Sequence, residues 1–479
     1  MRPALKNGSN AVRTLKRPQA LSALQRACIV RTGVYAGPFF AAAIFSFAYL
    51  VGSTTAGARP NIVLLFSDDQ GSIDLNCYGA SDLHTPNLDG LAQRGVRFTQ
   101  FYVGAPVCSP SRASLLTGRY PQRCGVPGNV HSRPGYAGMP TDEVTIAEML
   151  KSAGYKTALF GKWHLGTIPE CEPLAQGFDE FLGHRGGCID NYSHFFYWVG
   201  PNRHDLQKGT EEYWEDGTHF SDIVVREAGR FIEENKDQPF FLYLPFNIPH
   251  YPVQGRAEFR EMYKDLEEPR RAYAALVSDM DRSIGNILEK LDRTGLRKNT
   301  IVIFLSDHGH STEERTNFGG GDAGPYRGAK FSLLEGGIRV PCIVSWPGEF
   351  PQGEVRDQMA TSLDWYPTIA EVCGAKLPDR KLDGKNLLPV IESAEAETQH
   401  EIFHWQQGDQ WAVREGTWKM VLNAKDTDHR KNLEGDDKVF LSDLSVDVTE
   451  TRNVAKDHPD VVARLTEAHE EWEKEVVNR

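Results

Sequence analysis

The chain has 479 residues, 40% of them hydrophobic and 25% charged, the balance of an ordinary globular protein with room for a large core and more than one domain. Its net charge of −12 argues against nucleic acid as a partner, because a surface of that sign repels phosphate. An anionic small substrate stays open, since a local basic pocket can override the global field. The first 58 residues stand apart. They carry Arg2, Lys6, Arg13, Lys16, Arg17, Arg26 and Arg31 and no acid, then an apolar run from Phe39 to Val51 and the small-x-small site Ala56-Gly57-Ala58. This pattern predicts a signal peptide over residues 1–58 and an exported protein, periplasmic or extracellular. The alternative, a retained membrane anchor, calls for a longer apolar run. Loss of the segment takes the net charge to −19, because it removes seven basic residues and no acid. Export permits disulfides, but the pairing of the remaining cysteines cannot be read.

From residue 59 onward, β-rich apolar runs alternate with helical patterns, which predicts an α/β sandwich with a large, mostly parallel sheet. Thr85-Pro86 opens a helix that Gly95 can close. In the stretch Cys108 to Arg119, Ser109 and Pro110 suit the first helical positions, Ala113 to Leu116 propagate the helix and Gly118 can end it. Further helices are predicted over Val144–Ala153, Phe220–Glu234 and Arg271–Leu291. After Gly374 the composition shifts. Residues 376–400 read as a linker, Trp411 to Leu422 as a hairpin turning near Glu415-Gly416, and Pro459 to Val477 as an amphipathic helix with Val461, Leu465, His469 and Trp472 near one face. The expected layout is a large domain over 59–375, followed by a linker and a small α+β domain over 376–479.

Four apolar runs end in residues capable of chemistry, and ligands of open α/β sheets bind beyond the carboxyl ends of the strands. Asn61 to Phe66 leads to Asp68-Asp69. Lys156 to Phe160 leads to Lys162 and His164. Phe240 to Leu244 leads to His250, and Thr300 to Leu305 leads to Asp307-His308. Asp68, Asp69 and Asp307 are hard oxygen donors suited to calcium or magnesium, with His308 adjacent. Lys162 and His164, two apart on extended backbone, point the same way. Lys162 can hold an anionic oxygen while His164 moves a proton. Cys108 at a helix start favours an anion beside it, and Arg112, four residues on, returns to the same helix face. Taken singly, Lys-x-His, His250 and Lys330 are weak signals. The four strand ends carrying Asp, Lys and His together suggest one shared site.

These motifs occur in the order found in type I sulfatases: the Cys108 to Arg119 signature, Gly161-Lys-Trp-His-Leu-Gly166, Pro249-His250, Ser306-Asp-His-Gly309 and the glycine-bearing segment around Lys330. Over most of residues 59–375 the chain resembles that family, with its alkaline-phosphatase-like sandwich. The resemblance implies that Cys108 is oxidised by a maturation enzyme to formylglycine. It places Asp68, Asp69, Asp307, His308 and residue 108 around one Ca2+, and Arg112, Lys162, His164, His250 and Lys330 in catalytic and sulfate-binding positions. In the implied mechanism one hydroxyl of the aldehyde hydrate attacks sulfur, and deprotonation of the other releases sulfate. His250 is the acid and His164 the base. The segment Gly186 to His194 resembles a pocket wall in arylsulfatase-like relatives, so His194 is a candidate sugar contact. The aromatic run Phe195 to Trp198 reads equally as core. The implied partner is a sulfated carbohydrate or small sulfate ester. One departure matters: the position of His308 is often Asn in the family, and His also occurs in related phosphonate and phosphodiester hydrolases. Two alternatives therefore stand beside the sulfatase: such a hydrolase, and an inactive glycan-binding protein with Cys108 unmodified.

Overall fold

The computed structural model describes residues 59–428 and 435–477. The signal segment predicted for 1–58 lies outside them. The described residues belong to one compact unit, and no helix among them is long and apolar enough to cross a membrane. The strands of the large sheet are β1 (Asn61–Asp68), β2 (Val96–Phe98), β3 (Lys156–Lys162), β4 (Glu180–His184), β5 (Gln207–Lys208), β6 (Glu211–Glu212), β7 (Phe240–Pro249), β8 (Thr300–Ser306), β9 (Cys342–Ser345) and β10 (Glu354–Arg356). Their order is β10-β2-β9-β8-β1-β7-β3-β4-β5-β6. The central strands β8, β1, β7, β3 and β4 are mutually parallel, so their carboxyl ends lie side by side. The outer joins of β9 to β8 and of β5 to β4 are antiparallel.

All of β1 is buried because both faces of the sheet are covered by helices. Successive side chains point to opposite faces. Ile62, Leu64 and Phe66 meet α2 (Cys108–Thr117) and α3 (Ile146–Ser152), while Val63 and Leu65 meet α1 (Pro86–Gln93), α4 (Phe220–Glu234) and α5 (Arg270–Arg293). These helices match the predicted segments closely. Thr145 and Glu148 form a capping box that starts α3. Gly118 ends α2 at φ 66°, where a side chain would also meet Tyr366 at 2.6 Å.

Beyond the large sheet, β11 (Ile402–Gln407), β12 (Gln410–Glu415), β13 (Trp418–Leu422) and β14 (Val439–Asp443) form a separate antiparallel sheet, backed by α6 (Pro459–Val477). The predicted hairpin is β12–β13, and Val461, Leu465, His469 and Trp472 are the buried face of α6. The connection read as a linker is packed. Leu387, Val390 and Ile391 are buried, and Asp383 receives the Tyr120 amide and pairs with Arg123. All seven cysteines among the described residues are free.

Candidate active site

The α2 helix begins at Cys108 and is fixed to two strand ends by its own serines. Ser109 Oγ donates to the His164 carbonyl at 2.7 Å and receives the Val130 amide at 3.0 Å. Ser111 Oγ donates to the Asp307 carbonyl at 2.6 Å. The Ser109 amide, an N–H that the helix cannot pair, donates to Asn129. These small polar residues let the helix sit against backbone, and they put the Cys108 thiol over the ends of β1 and β8.

There it meets a buried charge cluster. Cys108 Sγ lies 4.0 Å from Asp68 Oδ1 and 3.4 Å from His308 Nε2. Lys162 Nζ reaches both Asp68 oxygens at 2.8 and 2.7 Å, and Lys330 Nζ both Asp69 oxygens at 2.9 and 3.0 Å. The Arg112 guanidinium bridges Asp68 at 3.1 Å and Asp307 at 2.9 Å. His308 Nε2 is 3.4 Å from Asp69, and His250 Nε2 is 3.6 Å from Asp69. Asp69 takes the left-handed conformation, φ 64°, which turns its carboxylate back beside that of Asp68.

Burial works against the Asp68 carboxylate, but Lys162, His250 and Arg112 hold it well below the usual range. For Asp69 and Asp307 burial wins and pushes them up, to about 7 and about 6. Burial would raise the Cys108 thiol, yet Lys162 and Lys330 hold it well below its ordinary value. Convergent carboxylates that burial makes costly to ionise are a donor set that a divalent cation fits. One donor atom each from Asp68, Asp69, Cys108 and His250 lies within 4.8 Å of the others, and the same holds for Cys108, Asp307 and His308.

A cavity of about 220 Å3 opens above the cluster, lined by Cys108, His164, His250 and Lys330 and walled by Phe196, Trp198, Tyr251, Arg315 and Phe331. A larger hollow of about 640 Å3, lined by Arg59, Asn299 and Trp346, sits at the amino ends of β1 and β8, far from these groups. Three sequence expectations change. Lys162 and His164 do not share extended backbone, because His164 has φ 57°, and its ring reaches the cavity through that turn. Arg112 lies between the carboxylates and, like Lys162 on Asp68, does not line the cavity. His194 does not line it either: its Nε2–H donates to the Thr218 carbonyl at 3.1 Å. Asn129, Tyr251, Glu313, Arg315 and Phe331 escaped sequence reasoning, for no spacing or motif marks them.

A mostly parallel sheet with carboxylates, lysines and histidines gathered at its carboxyl edge around a helix-start cysteine defines a hydrolase of the alkaline-phosphatase-like class. Two family models match: Sulfatase over residues 60–375, and N-sulphoglucosamine sulphohydrolase, C-terminal, over 328–475. The chain is 34% identical over 454 residues to arylsulfatase A of Homo sapiens, covering 87% of this chain and 88% of that one. It is 36% identical over 391 residues to N-acetylgalactosamine-6-sulfatase of Rattus norvegicus, covering 78% and 73%. The crystal structure of Ps i-CgsB superposes with a TM-score of 0.78 at 32% identity, covering 86% and 92%, and that protein also has a structure in complex with k-i-k-neocarrahexaose. The chain belongs to the sulfatase family, in its type I, arylsulfatase-like branch, and is a sulfuric ester hydrolase.

Proposed function

We propose that the protein is an exported sulfatase that removes sulfate from a sulfated carbohydrate, using formylglycine made from Cys108 and one Ca2+. The observation that carries this reading is the convergence of Cys108, Lys330, His164 and His250 on one cavity above three buried carboxylates, with Lys162 buried against Asp68. The aldehyde formed at residue 108, once hydrated by water, would supply two hydroxyls on one carbon, one to attack sulfur and displace the alcohol and one whose deprotonation rebuilds the aldehyde and frees the sulfate. Asp68, Asp69, Asp307, His308 and residue 108 would hold the cation, which supplies positive charge to the sulfuryl oxygens.

The chain's own groups do the rest. Lys162 and Lys330 neutralise the same oxygens from opposite sides of the carboxylate pair. Lys162, with His250 and Arg112, keeps Asp68 ionised against burial, and Arg112 ties it to Asp307. The Nε2–H of His164 donates to the Val130 carbonyl at 3.1 Å, which leaves Nδ1 buried, unpartnered and carrying the lone pair of a base. The Nδ1–H of His250 donates to the Tyr251 carbonyl at 2.7 Å, so Nε2 is the atom that passes a proton to the leaving alcohol. Burial holds His250 well below its ordinary pKa, and the negative charge of a bound sulfate raises it again.

A carbohydrate is favoured by the aromatic wall of Phe196, Trp198, Tyr251 and Phe331, by the named activity of the N-acetylgalactosamine-6-sulfatase relative, and by the oligosaccharide complex of Ps i-CgsB. Export rests on the pattern of residues 1–58. The catalytic domain is assigned to 59–375 and the small α+β domain to 376–479. The test is to coproduce the protein with a formylglycine-generating maturation enzyme and screen sulfated oligosaccharides for sulfate release. Mass analysis of the peptide containing residue 108 should reveal the aldehyde. Cys108→Ala should lose turnover with its melting temperature retained, and sustained turnover by that variant would overturn the reading.

A further inference from the structure

We propose a second metal site, formed by His194, His204 and Asp216, that takes one zinc-type transition-metal ion. One ring nitrogen of each histidine and one carboxylate oxygen of Asp216 lie within 4.8 Å of one another. One nitrogen of each ring is anchored by a hydrogen bond. His194 Nε2–H donates to the Thr218 carbonyl at 3.1 Å, and His204 Nδ1–H donates to the Glu212 carboxylate at 3.1 Å. That fixes both tautomers and leaves His194 Nδ1 and His204 Nε2 with free lone pairs. Both atoms are buried without a hydrogen-bond partner. His194 is wholly buried and the His204 side chain is 2% exposed.

An imidazole whose far nitrogen donates to a carboxylate or a backbone carbonyl is the arrangement that supports a metal-ligating histidine. Each orphaned nitrogen is otherwise stripped of water with nothing in its place. A single cation satisfies both, and Asp216 supplies the balancing charge. Burial keeps His194 neutral and ready to ligate. Two imidazoles and one carboxylate suit Zn2+ and are a poor set for Ca2+, and exposed Asp216 leaves a side open for water. The site would staple the hairpin of Phe195–Phe196 and Arg203–His204 to the loop before Thr218. That hairpin region carries Phe196 and Trp198 into the cavity wall, so the ion would stiffen the wall without touching the reacting groups.

The indole of Trp214 stacks on His204 at 3.8 Å and offers a readout independent of catalysis. The protein is stripped of transition metals, saturated with Ca2+ and titrated with Zn2+ by calorimetry, and with Co2+ by absorption and tryptophan fluorescence. One equivalent of Zn2+ should bind, with a tetrahedral Co2+ spectrum and quenched emission. His204→Gln should abolish that equivalent. Asp216→Asn, on the exposed loop where folding is not at stake, should weaken it at least about tenfold. The proposal is overturned if the wild type binds no Zn2+, or if its isotherm is unchanged in both variants.

Discussion

Two histidines line one cavity with their rings anchored in opposite senses, and this makes their roles separable. His250 presents Nε2 and His164 presents Nδ1, each with its other nitrogen donating to a backbone carbonyl. An alcohol that leaves readily needs little protonation. His250→Ala should therefore lose about 10²–10⁴-fold on sugar sulfates and far less on activated aryl sulfates. His164→Ala should lose activity on both alike, because sulfate release does not depend on the alcohol. The measurement is the ratio of kcat/KM on the two substrate types for each variant. Equal losses from His250→Ala, with chemistry rate-limiting, would remove His250 as the acid.

At the scale of elements, the small sheet is bound to the large body through a buried ionic network. Lys419 of β13 reaches Glu335 at 2.8 Å and Glu450 at 3.0 Å, with Tyr102 and Arg339 also on Glu335. Burial opposes ionisation of Glu335, but Lys419 and Arg339 bring it down to about 2, whereas burial drives Glu450 up to about 7. Lys419→Met strands a buried carboxylate and should destabilise the protein by about 3–5 kcal/mol in chemical denaturation. The same sheet meets α6 through His404 and His469, Nδ1 to Nδ1 at 3.3 Å. Burial lowers them to about 3 and about 4 against an ordinary 6.5, with the neighbouring His469 adding to the effect on His404. A depressed histidine pKa means that the unfolded chain takes up protons first. Stability is full above pH 6.5 and is lost as pH falls toward 4, by about 1 kcal/mol per histidine one unit below 6.5. Melting temperatures between pH 7 and 5 should fall, and His469→Gln should flatten the slope.

For the whole molecule, the parallel arrangement of β8, β1, β7 and β3 is what makes the site possible. Adjacent strands bring Asp307, Asp68, His250 and Lys162 to one edge of the sheet, and α2 and the Lys330 segment close over them. An ion held by residues from several distant segments binds the folded chain and not the unfolded one. Chelation should therefore abolish sulfate release and lower the melting temperature together, and Ca2+ should restore both, raising stability by about 2.7 kcal/mol at a hundredfold excess over its Kd. Full activity in rigorously metal-free protein would refute the role of the ion.

The strands that carry Asp68, Lys162, His250 and Asp307 were readable because apolar runs ending in polar residues are a local pattern, and the helices because periodicity and caps are local as well. Cys108 was readable from its place at a predicted helix start, whereas Lys330 entered through resemblance, since it lies at no strand end. Sheet order, which makes neighbours of strands 239 residues apart, comes from packing both faces of the sheet at once, and no window of sequence contains it. The left-handed turns at Asp69, His164 and His194 are likewise decided by tertiary contacts. Those at Asp69 and His164 aim the side chains into the site. The one at His194 goes with a ring bonded to Thr218, which keeps it out of the cavity lining that the resemblance of its segment implied. Composition and motif order therefore determined the family and the chemical cast. Only the folded chain decided which groups face the cavity, because side-chain direction depends on backbone conformations that non-local packing imposes.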